Sequence, residues 1–172
     1  MQQRGTKHSS RHPPNEEGNC PLTRGVPMGV ADRQRDILRV EDSPEDAKIF
    51  QRAVREYRHL PYRLHVVPDG EAALAFLRRE GSYAAMPRPQ LLLLDIGLPK
   101  IDGWEVLERI RATPTLATLP AVMLTGIMAD RDEERRAVWR PLACLEKPMP
   151  LEEYPRLVEQ LEQFLDTIPY NG

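Results

Sequence analysis

Short apolar runs alternate with amphipathic stretches along the chain from residue 36 onward. A bounded apolar run is typical of a strand, whereas apolar residues spaced three and four apart are typical of a helix. Regular alternation of the two is typical of a parallel sheet whose strands are connected by helices. The pattern predicts strands over residues 37–40, 62–67, 91–94, 121–125 and 142–146.

Five helices are predicted to follow these strands. Ser43 and Pro44 suit the N-cap and first turn of a helix that ends before Pro61, and Asp102 suits the N-cap of a helix over 104–111. Further helices are predicted over 72–79, over 130–139 and toward residue 165. Pro155 is tolerated in the last of these helices only within its first turn, because proline lacks a backbone N–H.

The first 35 residues have a different composition. Only seven are apolar, four are proline, and six Lys or Arg stand against three acids. Such a segment buries too little surface to offset its ordering entropy, so residues 1–35 are predicted to be a disordered extension. Two interpretations of this segment are open. It is either a basic arm that contacts nucleic acid, or a solvated tail, which includes the case that the true start is Met28. Residues 36–166 form the predicted domain, and 167–172 a C-terminal tail.

Net charge, hydropathy and cysteine spacing argue against several classes of protein. The net charge of −2 argues against a chain built to hold nucleic acid or an anionic membrane. No apolar run approaches the ~20 residues that span a bilayer. Cys20 and Cys144 lie too far apart in sequence to suggest a disulfide framework or a zinc site. A cytoplasmic protein with no membrane partner and no specific nucleic-acid partner is expected.

Acidic residues fall where predicted strands end. Glu41 and Asp42 follow the first strand and Asp95 follows the third, so three carboxylates are expected at one sheet edge without an obvious arginine to neutralise them. Hard oxygen ligands with room for water suit Mg²⁺. Thr125 and Lys147 end the fourth and fifth strands, and a hydroxyl and an ammonium beside such a cluster suit phosphoryl transfer to Asp95. The alternative is a set of unrelated capping and loop acids.

These residues resemble a known family, the receiver domains of two-component response regulators. The resemblance rests on the motifs ILRVEDSP at 37–44, LLLLDIGLPKIDG at 91–103, VMLTG at 122–126 and LEKP at 145–148. It implies a doubly wound, flavodoxin-like α/β fold with five parallel strands in the order 2-1-3-4-5. It also implies that Asp95 is the phosphoacceptor, that Thr125 and Lys147 contact the phosphoryl group, and that Mg²⁺ is held by Glu41, Asp42, Asp95 and the Gly97 carbonyl.

A narrower resemblance concerns the partner. The segment LPKIDGWEVL and the ending FLDTIP are similar to single-domain response regulators that partner phytochrome-type histidine kinases. The implied function is a switch, not an enzyme, that signals through its fourth helix, fifth strand and fifth helix and forms a homodimer there. A phosphorylation-independent adaptor is the alternative. A phosphatase of the aspartyl-phosphate class is disfavoured because Gly97 stands where that class needs a second acid.

Arg39 and Cys144 are two of four places where the sequence departs from the family pattern; the others are residues 139–142 and Pro150. Arg39 stands in a strand that should be buried, so its side chain must reach a carboxylate or the sheet edge. Cys144 stands where the family commonly has an aromatic residue that moves on phosphorylation, which puts that form of relay in doubt. Cys144 is interpreted as an apolar filler, with redox sensing as the less favoured alternative.

Overall fold

The fold is a five-stranded parallel sheet with helices on both faces. The computed structural model describes residues 34–59, 61–126, 130–148 and 151–169. Over these residues the strand order is β2-β1-β3-β4-β5, as the resemblance implied. The strands are β1 (Arg35–Val40), β2 (Tyr62–Val67), β3 (Leu91–Asp95), β4 (Ala121–Thr125) and β5 (Ala143–Glu146). The helices are α1 (Pro44–Tyr57), α2 (Gly70–Arg78), α3 (Gly103–Arg111), α4 (Asp130–Trp139) and α5 (Tyr154–Thr167).

Side-chain caps start three of the helices. The Ser43 hydroxyl accepts a hydrogen bond from the Asp46 N–H at the start of α1. At the starts of α2 and α3, the Asp69 and Asp102 carboxylates accept from the N–H groups of Ala72 and Glu105. Each cap satisfies an N–H group that the helix itself cannot pair. The predicted caps at Ser43 and Asp102 are thus confirmed. Pro155 lies in the first turn of α5, as its missing N–H requires.

Several element boundaries differ from those predicted. β1 begins at Arg35 rather than residue 37, and β5 begins at Ala143 rather than residue 142. α2 begins at Gly70 and ends at Arg78, because Arg79 adopts a left-handed conformation with φ 60° and closes the helix itself. A left-handed closing residue is usually glycine, so the residue type at position 79 gives no sign that the helix ends there. The predicted extension lies almost wholly outside the described residues and stays a prediction.

Two apolar layers enclose the sheet. Every residue of β3 is buried, as expected for a central strand covered on both faces. One layer lies between the sheet and the pair α1 and α5, and includes Phe50 and Leu161. The other lies against α2 and α3, and includes Phe76 and Trp104. The two layers fix the positions of the strand ends that carry the candidate site.

Gly103 allows α3 to start directly against the end of β3. A Cβ atom at this position would lie 2.2 Å from the Asp95 carbonyl oxygen. The Gly103 N–H donates to the Ile96 carbonyl at 3.1 Å. Only a residue without a side chain permits this approach, which sets the position of the chain around Asp95.

Among the described residues, no helix combines the length and apolar character required to cross a membrane.

Candidate functional site

Three carboxylates meet at the carboxyl ends of the central strands. Glu41 and Asp42 follow β1, and Asp95 is the last residue of β3. One oxygen from each lies within 4.8 Å of the others. Glu41 and Asp95 are buried, while Asp42 is exposed. The predicted convergence of these acids at one sheet edge is therefore present.

The Asp95 carboxylate is held through both oxygens. Oδ1 accepts a hydrogen bond from the Gly97 N–H at 3.0 Å, and Oδ2 accepts one from the Lys147 ammonium. The backbone beyond Asp95 is fixed by the Ile96 N–H, which donates to the Leu124 carbonyl at 2.9 Å. The contact of Gly97 with Asp95 thus runs through its N–H. A role for the Gly97 carbonyl as a metal ligand stays a prediction.

Lys147 bridges two of the acids. Its Nζ lies 3.1 and 3.0 Å from the two carboxylate oxygens of Glu41 and 3.6 Å from Oδ2 of Asp46. Burial alone would lower the pKa of the Lys147 ammonium, but hydrogen bonds to Asp95 and Glu41 and their negative charges outweigh burial and raise it. Lys147 therefore stays charged at neutral pH.

Thr125 lies beside these groups at the end of β4 and is buried. Its carbonyl accepts the Lys147 N–H at 2.7 Å, which ties the end of β4 to the residue that follows β5. Four strands thus contribute residues at the same edge of the sheet: Glu41 and Asp42 after β1, Asp95 from β3, Thr125 from β4 and Lys147 after β5.

The expectation that no arginine neutralises these acids is wrong. Nη2 of Arg39 donates to Oε2 of Glu41 at 2.5 Å, and both side chains are 1% exposed. Of the two arrangements expected for Arg39, a carboxylate partner or the sheet edge, the structure shows the carboxylate partner. Side chains two residues apart in a strand point to the same face, so the spacing of Arg39 and Glu41 carries the signal that predicts the pair.

The donor set of the site suits a hard divalent cation. Three carboxylates supply oxygen ligands, and the exposure of Asp42 leaves an approach from solvent. Mg²⁺ prefers oxygen ligands and usually retains several waters. Arg39 and Lys147 balance two of the three negative charges, so the site keeps one negative charge in excess before any cation binds.

Two polar contacts connect the start of α3 to α4. The Trp104 indole N–H donates to Oδ1 of Asp132 at 2.8 Å, and Nη1 of Arg135 lies 3.0 Å from Oδ2 of Asp102. Partial burial alone would raise the pKa of Asp102, but the hydrogen bonds from the Glu105 N–H and Arg135 outweigh burial and lower this pKa overall. The Asp102 carboxyl therefore stays ionised. The start of α3, which follows Asp95 in the chain, is thus connected to α4 by hydrogen bonds.

Cys144 is a free, half-buried thiol that packs against the apolar layer containing Trp104. Burial raises the pKa of this thiol above its ordinary value. Reactive cysteines instead sit in exposed, cation-rich surroundings that lower the pKa. Cys144 therefore behaves as an apolar filler, and the redox interpretation gains no support.

The family model for the response regulator receiver domain matches residues 37–159, and this range includes Glu41, Asp42, Asp95, Thr125 and Lys147. The chain belongs to the response regulator receiver family. Response regulator Rcp1 of Synechocystis sp. is 37% identical over 133 residues, which cover 77% of this chain and 90% of Rcp1.

Two solved structures of response regulators share this fold. The phosphorylated cyanobacterial phytochrome response regulator RcpA matches with a TM-score of 0.73 and 34% identity, over 81% of this chain and 99% of RcpA. The Mn²⁺-bound form of Rcp1 matches with a TM-score of 0.72 and 34% identity, over 80% of this chain and 99% of that structure. This chain is thus a receiver related to phytochrome response regulators.

Proposed function

We propose that this chain is a switch controlled by phosphorylation of Asp95, with a sensor histidine kinase as the phosphoryl donor and Mg²⁺ as the cofactor. The observation that carries the proposal is the contact of the Lys147 ammonium with both Asp95 and Glu41. The site therefore pairs a buried carboxylate nucleophile with a fixed cation at the position where phosphoryl charge would develop.

In the proposed reaction a carboxylate oxygen of Asp95 attacks the phosphorus of a phosphohistidine. A P–O bond forms, which makes Asp95 an acyl phosphate. The P–N bond to the imidazole breaks, and the imidazole nitrogen keeps its electron pair. Mg²⁺ held by Glu41, Asp42, Asp95 and the Gly97 carbonyl would neutralise charge on the phosphoryl oxygens. Lys147 would exchange its contact with the carboxylate for one with the phosphoryl group.

Thr125 completes the proposed site. Its hydroxyl belongs to a buried side chain on the strand next to Asp95, so it is suited to donate a hydrogen bond to a phosphoryl oxygen. Thr125 ends β4 and Lys147 directly follows β5, so both donors are positioned by the sheet before the phosphoryl group arrives. Positioning of this kind is the main protein contribution to phosphoryl transfer.

The proposed output surface consists of α4, β5 and α5. Val138 of α4 is 65% exposed and Leu142, directly before β5, is 42% exposed; they are two of the three large apolar side chains that are exposed among the described residues. Exposed apolar side chains are suited to a protein partner or to a second copy of the chain. A homodimer through this surface would be tested by light-scattering mass at several concentrations, with and without phosphorylation.

The kinase is proposed to be of the phytochrome type. Support comes from the likeness to RcpA and Rcp1 over nearly the whole length of both. Phosphotransfer from a panel of purified, autophosphorylated histidine kinases would test this assignment. Transfer from the phytochrome-type kinases should be fastest, and faster transfer from another class would contradict it.

Phosphorylation itself is tested with acetyl phosphate and Mg²⁺, followed by intact mass. One added phosphoryl group is expected in the wild type and none in Asp95→Asn or in the presence of a chelator. Modification of Asp95→Asn to the wild-type extent would refute the assignment. Failure with acetyl phosphate and with every kinase of the panel would favour the phosphorylation-independent adaptor.

A further inference from the structure

Arg39 is enclosed on the side of the sheet that faces α1 and α5. Its guanidinium carbon lies 4.3 Å from the centroid of the Phe50 ring, and that ring packs against Tyr154 of α5 with a centroid distance of 6.4 Å. Arg39 is 1% exposed. An arginine this deeply buried is uncommon and calls for a specific partner.

The ion pair of Arg39 with Glu41 does not satisfy all of its nitrogens. Nη2 donates to Glu41, whereas Nε and Nη1 are buried and have no hydrogen-bond partner within the part of the chain that the structure describes. A buried ion pair with two unpaired donors is poor evidence for a stabilising role, since its desolvation cost is large. The effect of Arg39 on the site is instead electrostatic, because Arg39 places a positive charge against one of the three acids.

Glu41 is shared between two cations. Oε2 lies 2.5 Å from Nη2 of Arg39 and 3.0 Å from Nζ of Lys147. In the proposed reaction Lys147 would turn to a phosphoryl group on Asp95, and Arg39 would be the cation that stays with Glu41. Arg39 would thus keep this buried carboxylate neutralised before and after the transfer.

We propose that Arg39 is a positioning residue that weakens the binding of divalent cations at the acidic site by neutralising Glu41. The inference rests on the proposed function, since it concerns the same metal site. Arg39 and Lys147 together leave one negative charge in excess on the three acids, and loss of Arg39 would leave two. Opposite charges at hydrogen-bond distance in a buried setting couple strongly, so removal of the guanidinium should tighten cation binding.

The test is calorimetric titration of Mg²⁺ into the full chain and its Arg39→Met variant. Methionine keeps most of the length of the side chain, and Glu41 keeps Lys147 as its partner, so the variant is expected to fold. The dissociation constant should fall about tenfold, within the range of ordinary coupling between sites. Circular dichroism of each variant would establish that it is folded.

Arg63→Met is the matched control. Arg63 is 55% exposed and pairs with Asp36 near the start of β1, at the opposite end of that strand from Glu41. Its removal deletes one arginine charge from the protein while the acidic site stays intact. The Mg²⁺ dissociation constant of this variant should stay within about twofold of the wild type, since exposed charges at this range are screened.

Arg39→Gln gives an independent test should the methionine variant fail to fold. Its amide removes the positive charge but can still donate a hydrogen bond to Glu41, so its Mg²⁺ dissociation constant should also fall. An unchanged or weaker affinity in a folded Arg39→Met or Arg39→Gln variant would overturn the proposal. A wild-type chain that binds no Mg²⁺ would instead contradict the proposed function.

Discussion

Substitution of Gly103 by alanine should separate α3 from the end of β3. The new Cβ would lie 2.2 Å from the Asp95 carbonyl oxygen, 2.9 Å from the Asp95 carbonyl carbon and 3.0 Å from the Ile96 Cα. All three are backbone atoms, so no side-chain rotation relieves the overlap. An ordinary contact requires more than 3 Å, and the two segments must therefore move apart by about 1 Å.

The cost of this movement can be stated as a range. Overpacking of a tightly packed interior costs about 1–3 kcal/mol, and the lower chain entropy of alanine in the unfolded state returns less than 1 kcal/mol of it. A net loss of about 2 kcal/mol corresponds to a fall of about 6 °C in the melting temperature for a domain of this size. Displacement of the Asp95 backbone should also slow phosphorylation from acetyl phosphate.

Two other glycines near the site provide matched controls. A Cβ at Gly97 would meet only Oδ1 of Asp95, at 3.8 Å, and one at Gly126 would meet nothing within 4 Å. Thermal unfolding of the full chain, followed by circular dichroism, should show a large loss for Gly103→Ala and small changes for Gly97→Ala and Gly126→Ala. A melting temperature of Gly103→Ala within about 1 °C of the wild type, or equal losses in all three variants, would refute the reasoning.

Three further substitutions or reactions test other contacts. Burial raises the pKa of Cys144, so the rate of its alkylation by iodoacetamide should rise with pH around a midpoint above that of a free thiol when measured in a Cys20→Ser background. Unfolding in 8 M urea should remove the difference. A midpoint at or below the free-thiol value would contradict this prediction. Arg111→Met removes donors to the carbonyls of Ala117, Leu119 and Trp139 and should lower the free energy of unfolding by about 2 kcal/mol in urea titration, with an unchanged midpoint as the contrary result. Trp104→Phe removes the indole N–H that bonds to Asp132 and should cost about 2 kcal/mol in the same measurement, whereas a loss below about 0.5 kcal/mol would show that this contact contributes little.

The sheet and its helices were predictable because the signals are local. Apolar runs marked the strands, and the small polar residues Ser43 and Asp102 marked two helix starts that the structure confirms. Boundaries were less predictable where a residue adopts a conformation that its type disfavours. Arg79 closes α2 at φ 60°, and no pattern of sequence distinguishes that arginine from its neighbours.

The candidate site was predictable as a set of residues but not as a network of contacts. The convergence of acids, hydroxyl and lysine follows from the rule that parallel strands end at one edge. The sharing of Glu41 between Arg39 and Lys147 does not follow from that rule, because Arg39 enters from inside a strand rather than from its end. The bond between Trp104 and Asp132 joins residues 28 apart, and only the packing of α3 against α4 brings them together.

The outer strands of the sheet bear on how the folded chain avoids aggregation. β5 has four residues and is followed by Lys147 and Pro148, and a proline has no N–H with which to extend a ladder of hydrogen bonds. β2 is longer, with six residues, and carries the exposed charge of Arg63. Unpaired strand edges template fibril growth unless they are short or charged. One edge of this sheet is short and the other is charged, so edge-to-edge polymerisation of the native chain is opposed on both sides.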